Sequence, residues 1–283
     1  MKKIFNRIIT KSLGLYFNTA AILAPKKIAK NAFTLFCTPR KGQVTKGQKG
    51  FLEDAKDLIL EAEATKVQTY LWKGSGPTIL LMHGWESNTF RWRNLIPILQ
   101  SENYNVIAMD APAHGNSSGQ QFHVPLYTEC AQKVIDTYQP TYVIGHSIGG
   151  MALLHNLYKY PEANKNIQKV VTLGSPSELS DFMRQYKVIL SLNGNLMKLM
   201  ESYFIGNFGF KFSDFSSSKF AAKINTKGLL IHDEIDAIAP YWASQQVHAN
   251  WKNSTLITTK GLGHSLHQDK VRLSILDFLE SIE

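Results

Sequence analysis

The sequence is poor in cysteine: Cys37 and Cys130 are its only two, and they lie far apart. Two such residues are too few for a disulfide framework, and their separation is not that of a metal-ligand pair. We therefore expect reduced thiols and a cytoplasmic setting. No cluster of metal-ligating residues and no phosphate-binding loop stands out in the sequence either. We expect neither a metal nor a cofactor.

Long apolar runs and low-complexity tracts are also missing. A membrane-spanning helix needs ~20 predominantly apolar residues, and the helix-like apolar stretch near the start of the chain is interrupted by Arg7 and Lys11. We therefore expect no transmembrane span. Because 44% of the 283 residues are hydrophobic, the composition is typical of a globular protein with a substantial core.

Acidic residues are absent from the first 52 positions, which contain eleven Lys or Arg. The rest of the chain has 20 basic and 22 acidic residues, so it is close to neutral although the whole chain carries a net charge of +9. An enzyme that acts on nucleic acid would be expected to spread basic charge around its working cleft. We therefore expect no nucleic-acid partner.

The first twenty residues are typical of a basic amphipathic helix that ends by Pro25. One side of the helical wheel is apolar and the other basic or polar: Ile4, Phe5, Ile8, Ile9, Leu13, Leu15 and Tyr16 face away from Lys3, Arg7, Lys11 and Asn18. Charges within the apolar stretch argue against a secretory signal. Two interpretations remain, namely peripheral contact of residues 1–24 with a membrane surface and docking on the enzyme or a partner.

Residues 38–50 are rich in Gly and Lys and poor in apolar residues, which is typical of a linker. We therefore predict an N-terminal helix and linker over residues 1–50 and a catalytic domain over residues 51–283.

Beyond residue 50, short apolar runs alternate with helix-like segments at the spacing of a parallel sheet. The runs lack period-two alternation, as expected for strands that helices cover on both faces. We predict an α/β fold with an open, doubly wound, mostly parallel sheet. The predicted strands are residues 58–60, 67–72, 78–82, 106–109, 142–144, 169–173, 228–232 and 255–259.

A glycine-rich segment, residues 145–150 (GHSIGG), follows one of these strands and precedes a helix-like run. A serine on so sharp a strand-to-helix turn has strained backbone angles, and small neighbours let the backbones pass. The next amide, that of Ile148, then lies at a helix N-terminus, where unpaired N–H groups favour negative charge. An ordinary glycine-rich turn with a capping serine is the alternative.

Residues 145–150 resemble the nucleophile elbow of the α/β-hydrolase superfamily, and further motifs follow that family's order. Residues 83–85 (HGW) resemble its oxyanion turn, and residues 110–117 (DAPAHGNS) resemble an architectural loop with Ala113 in place of Gly. Residues 232–240 (HDEIDAIAP) and 261–265 (GLGHS) resemble the segments that carry the acid and the histidine. Between residues 175 and 225 the alternation lapses, and the resemblance implies a helical cap at about 176–225.

The resemblance implies a catalytic triad in the chain order Ser, Asp, His. Ser147 is the expected nucleophile and His264 the expected base, with His267 as the fallback on the same loop. The register of the motif makes Asp236 the acid. Asp233, which stands where the family has glycine, and Glu234 remain alternatives.

The amides of Trp85 and Ile148 are the expected oxyanion-hole donors, and each such donor is usually worth about 3 kcal/mol. The resemblance implies a serine hydrolase that cleaves a small-molecule acyl ester. It does not select the substrate, because the same fold hosts many reactions. A thioesterase, a C–C bond hydrolase and a ligand-binding receptor remain alternatives.

Overall fold

The computed structural model describes the backbone of residues 2–281 and the side chains of residues 8–281. Its contacts divide the chain into two compact units. The helical unit comprises Met1–Thr38 and Glu178–Ser216, and the sheet unit comprises Pro39–Ser177 and Ser217–Glu283.

Eight strands form one sheet in the order β1-β2-β4-β3-β5-β6-β7-β8. β1 pairs antiparallel with β2, and β2 antiparallel with β4, whereas all the other pairs are parallel. This mostly parallel sheet with flanking helices confirms the predicted fold class. The strands are β1 (Lys56–Ala62), β2 (Thr65–Trp72), β3 (Thr78–Met82), β4 (Asn105–Met109), β5 (Tyr142–His146), β6 (Lys169–Leu173), β7 (Lys227–Asp233) and β8 (Ser254–Thr259).

Eleven α-helices lie within the described residues, and two short 3-10 turns occur at Lys46–Gln48 and Thr89–Trp92. The α-helices are α1 (Lys2–Leu23), α2 (Pro25–Phe36), α3 (Lys49–Glu53), α4 (Ile96–Ser101), α5 (Val124–Tyr138), α6 (Ile148–Lys159), α7 (Leu179–Leu190), α8 (Gly194–Phe208), α9 (Ser217–Ala221), α10 (Trp242–Asn250) and α11 (Asp269–Glu280).

The central strands are buried on both faces, which explains why their sequences are continuous apolar runs. Ile79 and Leu81 of β3 and Ile144 of β5 are completely buried. Because β3 to β8 are all parallel to one another, their carboxyl ends meet at one edge of the sheet. The register brings Met82 beside Gly145 and places Asp233 opposite Thr259. The loops that follow β3, β5, β7 and β8 therefore start close together.

The segment predicted to be a linker has local structure and packs on the sheet unit. Gln43 forms an isolated bridge with Gly115. The Asn88 side chain donates to the carbonyl of Gly42 at 3.2 Å and to Oε1 of Gln48 at 3.1 Å. These polar contacts fix a Gly- and Lys-rich stretch that has no apolar periodicity.

In the helical unit, α1 and α2 pack against α7 and α8. The α1 helix approaches α7 so closely that a Cβ on Gly14 would lie 1.6 Å from the carbonyl oxygen of Leu190. From α2, the Phe33 ring lies 5.4 Å from that of Tyr203 and 5.9 Å from that of Phe204 in α8. The Tyr186 hydroxyl of α7 donates to the carbonyl of Ala32 at 2.8 Å.

The contacts therefore group the chain differently from the predicted division at residue 50. The first 38 residues associate with α7 and α8, which lie in the predicted cap, whereas α9 at the end of the predicted cap range belongs to the sheet unit. Hydrophobic periodicity identifies a helix and its apolar face but not the element against which the helix packs. None of the helices in the described part of the chain is long and apolar enough to cross a membrane.

Candidate active site

Ser147 occupies the turn between β5 and α6 with φ 53° and ψ −127°. This positive φ is unfavourable for a residue with a side chain, and such strain is typical of functional turns. The neighbours have no room for side chains. A Cβ on Gly145 would lie 2.7 Å from the backbone of Gly150, and one on Gly149 would lie 2.5 Å from the carbonyl oxygen of Met82. Gly149 thus lets the turn pack directly against β3, and Gly145 lets the first turn of α6 pack against β5.

Three loops bring Ser147, His264 and Asp236 into one hydrogen-bonded chain. His264 Nε2 lies 3.0 Å from the Oγ of Ser147, and His264 Nδ1 lies 2.7 Å from Oδ2 of Asp236. The three residues follow β5, β8 and β7 at the same edge of the sheet. Among the alternatives weighed from the sequence, the structure brings His264 and Asp236 to Ser147.

The Asp236 carboxylate is buried and richly hydrogen-bonded. The amides of Ile238 and Ala239 donate to Oδ1 at 2.8 and 3.0 Å, and His232 Nε2 lies 3.4 Å from Oδ2. Burial acts to raise the pKa of Asp236, but the bonds from His232, His264 and the two amides outweigh it and hold the pKa below its ordinary value. Asp236 is therefore ionised near neutral pH and can stabilise positive charge on His264.

The turn after β3 lies directly against the nucleophile. A Cβ on Gly84 would lie 2.9 Å from the Cβ of Ser147, so the amide of Trp85 follows a residue in close contact with the elbow. Ile148 is the first residue of α6, where helix amides have no intrahelical acceptor. The two expected oxyanion donors thus lie on the two segments that meet at Ser147.

His83 has a structural role in that turn. Its Nδ1 lies 2.7 Å from the carbonyl oxygen of Gly84, and its Nε2 accepts from the amide of Ala111 at 2.9 Å. Burial lowers the pKa of His83 to about 3, so the ring is neutral. A neutral ring that accepts at Nε2 carries its proton at Nδ1, which then donates to Gly84. His83 therefore joins the turn after β3 to the loop after β4.

Asp110 is the acceptor around which the loop after β4 is built. Its carboxylate accepts from the amides of Thr89 and Asn116, both at 2.8 Å, and from the Tyr70 hydroxyl at 3.2 Å. Burial raises the pKa of Asp110 against these bonds. Its hydrogen bonds make Asp110 an architectural residue of the sheet unit.

Asp233 ties the loop after β7 to the loop after β8. Its Oδ2 accepts from the Leu262 amide and from the Thr259 hydroxyl, both at 2.8 Å. Leu262 lies two residues before His264, so Asp233 positions the segment that carries the histidine. In the sequence Asp233 is a departure from the family pattern and an alternative acid, whereas in the structure it holds the loop after β8. Its neighbour Glu234 is exposed.

Two further residues contact the same loop, and sequence reasoning did not identify them. His146 Nε2 lies 2.9 Å from the carbonyl oxygen of His264, and the two rings are 4.8 Å apart. Arg91 donates from Nη2 to the carbonyl of Ser265 at 2.6 Å. Burial, with Arg91 and His264 nearby, lowers the pKa of His146 well below its usual range. His146 is therefore neutral and donates to the His264 carbonyl through Nε2–H.

His267, the fallback base, lies in a basic environment beside this loop. Burial and the charges of Arg91, Arg93 and Arg272 lower the pKa of His267 to about 4. Its carbonyl accepts from Arg272 at the start of α11. The structure therefore uses His267 to join the loop to the last helix.

Comparison with known proteins points to one fold family. The family model described as the α/β hydrolase fold matches residues 77–197. The uncharacterized hydrolase YugF of Bacillus subtilis is 27% identical over an alignment that covers 72% of this chain and 90% of YugF. A serine hydrolase-like protein of Danio rerio is 31% identical over 38% of this chain, and the match spans 34% of that protein.

A solved structure, that of the Pyrococcus furiosus esterase Pf2001, superposes with a TM-score of 0.64 and 22% identity, covering 86% of this chain and 96% of that one. At this identity the likeness shows the fold alone. The strand order, the family match and these relatives agree with one another. These findings support the α/β-hydrolase superfamily as the family of this chain.

Proposed function

We propose that this chain is a serine hydrolase that cleaves a carboxylic ester through an acyl-enzyme on Ser147. The observation that carries the proposal is the hydrogen-bonded chain from the Ser147 hydroxyl through His264 to the buried carboxylate of Asp236. A serine hydroxyl is a weak nucleophile near neutral pH unless an oriented base accepts its proton. This arrangement supplies that base, and Asp236 fixes its tautomer.

In the first half of the reaction, the Oγ of Ser147 attacks the acyl carbon while His264 Nε2 takes the hydroxyl proton. The carbonyl π electrons move to oxygen, and the amides of Trp85 and Ile148 donate to the resulting oxyanion. When the tetrahedral intermediate collapses, the ester C–O bond breaks and His264 returns the proton to the leaving alcohol. Asp236 stabilises the imidazolium that forms in between.

Water completes the cycle by the same route. His264 takes a proton from a water molecule as its oxygen attacks the acyl carbon, and the Ser147–acyl bond then breaks. The proton returns to Ser147 Oγ, and a carboxylic acid leaves. Pf2001, which shares this fold, is an esterase, and this supports an ester as the substrate class.

Hydrolysis of p-nitrophenyl esters over a series of acyl lengths tests the proposal, with Ser147→Ala and the matched variant Ser101→Ala. Ser101 lies at the end of α4 and donates to the carbonyl of Ile98. We expect turnover by the wild type and by Ser101→Ala, and a loss of at least a thousandfold in Ser147→Ala. Unchanged turnover in Ser147→Ala would contradict the proposal. Tight binding of an ester without turnover by the wild type would favour a receptor instead.

A further inference from the structure

The α1 helix packs with one side against α7 and α8 and leaves much of its apolar side exposed. Gly14 and Phe17 are buried, and Asn18 bonds to the backbone of Ser191 and Asn193 in the turn between α7 and α8. The exposed apolar residues on the opposite side are Ile8, Ile9, Leu15, Tyr16, Ile22 and Leu23. We call these six residues the exposed face of α1.

The exposure of this face is large. Leu15, Ile22 and Leu23 expose 65%, 80% and 90% of their surface. A surface helix in a globular protein normally turns its apolar stripe inwards, and contiguous exposed apolar surface usually marks an interaction site. In α1 the stripe points away from α7 and α8, because Gly14 rather than a bulky residue provides the close approach to Leu190.

The end of α7, close to α1, also exposes apolar side chains. Val188 and Ile189 expose 72% and 58% of their surface. They directly precede Leu190, whose carbonyl lies against Gly14 of α1. Two adjacent helices of the helical unit therefore expose aliphatic side chains near the same point of contact.

The charge of the helical unit favours an anionic partner for this surface. Residues 1–38 contain seven basic and no acidic residues, and residues 178–216 contain four of each, so the unit carries +7. Lys11 in α1 and Lys26, Lys27 and Lys30 in α2 are exposed. A positive unit that also exposes aliphatic and aromatic side chains complements an anionic lipid surface, where apolar burial and charge attraction act together.

We propose that the exposed face of α1, with Val188 and Ile189, docks this protein on an anionic membrane surface. The apolar side chains enter the boundary between headgroups and acyl chains, and the lysines contact the lipid phosphates. The helix lies in the plane of the membrane, as expected for a charged amphipathic helix. Basic residues near the surface strengthen such binding to anionic lipid, and salt screens their contribution. The proposal does not depend on the reaction of Ser147.

Co-sedimentation of the full chain with vesicles tests this. We expect binding to vesicles of phosphatidylcholine with phosphatidylglycerol, weaker binding at high salt, and little binding to phosphatidylcholine alone. The triple variant Leu15→Gln, Ile22→Gln, Leu23→Gln should bind at least tenfold more weakly. The matched control Leu58→Gln, Ile59→Gln replaces exposed apolar residues of β1 and should bind as the wild type does.

Several outcomes would overturn the proposal. These are no binding to the anionic vesicles, equal binding to neutral vesicles, or unchanged binding by the triple variant with an unaltered circular dichroism spectrum. A dimer in solution that the triple variant abolishes would also overturn it, because a second copy would then cover the face. Turnover of a soluble ester, measured on the same samples, reports separately on the proposed function.

Discussion

His146 directly precedes the nucleophile, and its ring contacts the loop that carries the base. Because the ring is neutral and its Nε2 lies 2.9 Å from the His264 carbonyl, the proton at Nε2 forms a hydrogen bond across the two loops. This bond restrains the backbone of His264 while leaving its side chain to contact Ser147 and Asp236. His146 is therefore a positioning residue, since it acts on the reaction only through His264.

Replacing His146 tests this role. A hydrogen bond of this kind is worth about 1 kcal/mol, so we expect His146→Ala to lower kcat on a p-nitrophenyl ester by roughly fivefold with little change in KM. His146→Gln keeps an N–H donor and should recover much of the loss. Steady-state kinetics of both variants give the answer. Equal losses in both, or a change confined to KM, would show that His146 does not position the base.

The candidate active site lies at the carboxyl edge of the sheet, where hydrogen bonds join the loops that follow four parallel strands. Asp233, at the end of β7, accepts a hydrogen bond from the amide of Leu262, and Arg91, in the segment after β3, donates one to the carbonyl of Ser265. The loop after β8 is thus held on both sides of His264. Such restraint is what a base needs if it is to stay within hydrogen-bond distance of the nucleophile.

The contact of α1 with α7 leaves no room for a side chain at Gly14. A Cβ on Gly14 would lie 1.6 Å from the Leu190 carbonyl oxygen, so Gly14→Val should force the two helices apart. Overpacking of this kind costs roughly 1–3 kcal/mol. We expect faster hydrogen exchange or proteolysis in α1, measured by mass spectrometry.

Gly206 provides the control for that substitution. It lies in α8, and no atom is within 4 Å of a Cβ added there. Gly206→Ala should leave protection of α1 unchanged, since alanine is also the better helix former. If α1 were as well protected against exchange and proteolysis in Gly14→Val as in Gly206→Ala, the packing of α1 on α7 described above would be contradicted.

For the whole molecule, the sheet was predictable from the sequence because its central strands are buried on both faces and read as apolar runs. The turn at Ser147 was predictable because the close packing around it requires glycine at positions 145 and 149, and the sequence shows both glycines. The contacts of Asp233 and Arg91 were not predictable, because no local pattern shows which distant backbone group a polar side chain will meet. The association of both N-terminal helices with α7 and α8 was missed for the same reason. The second helix, α2, was also missed, although its sequence has a local apolar periodicity that ends with buried Ala32 and Phe33.

Rapid quenching during turnover can detect the acyl-enzyme that we expect on Ser147. The protein would be mixed with a p-nitrophenyl ester, quenched during turnover and digested, and the peptides analysed by mass spectrometry. We expect the peptide with Ser147 to gain the mass of the acyl group, and this adduct to disappear once the substrate is consumed. Steady turnover with no adduct on that peptide, or an adduct on the same peptide in Ser147→Ala, would show that Ser147 is not the nucleophile.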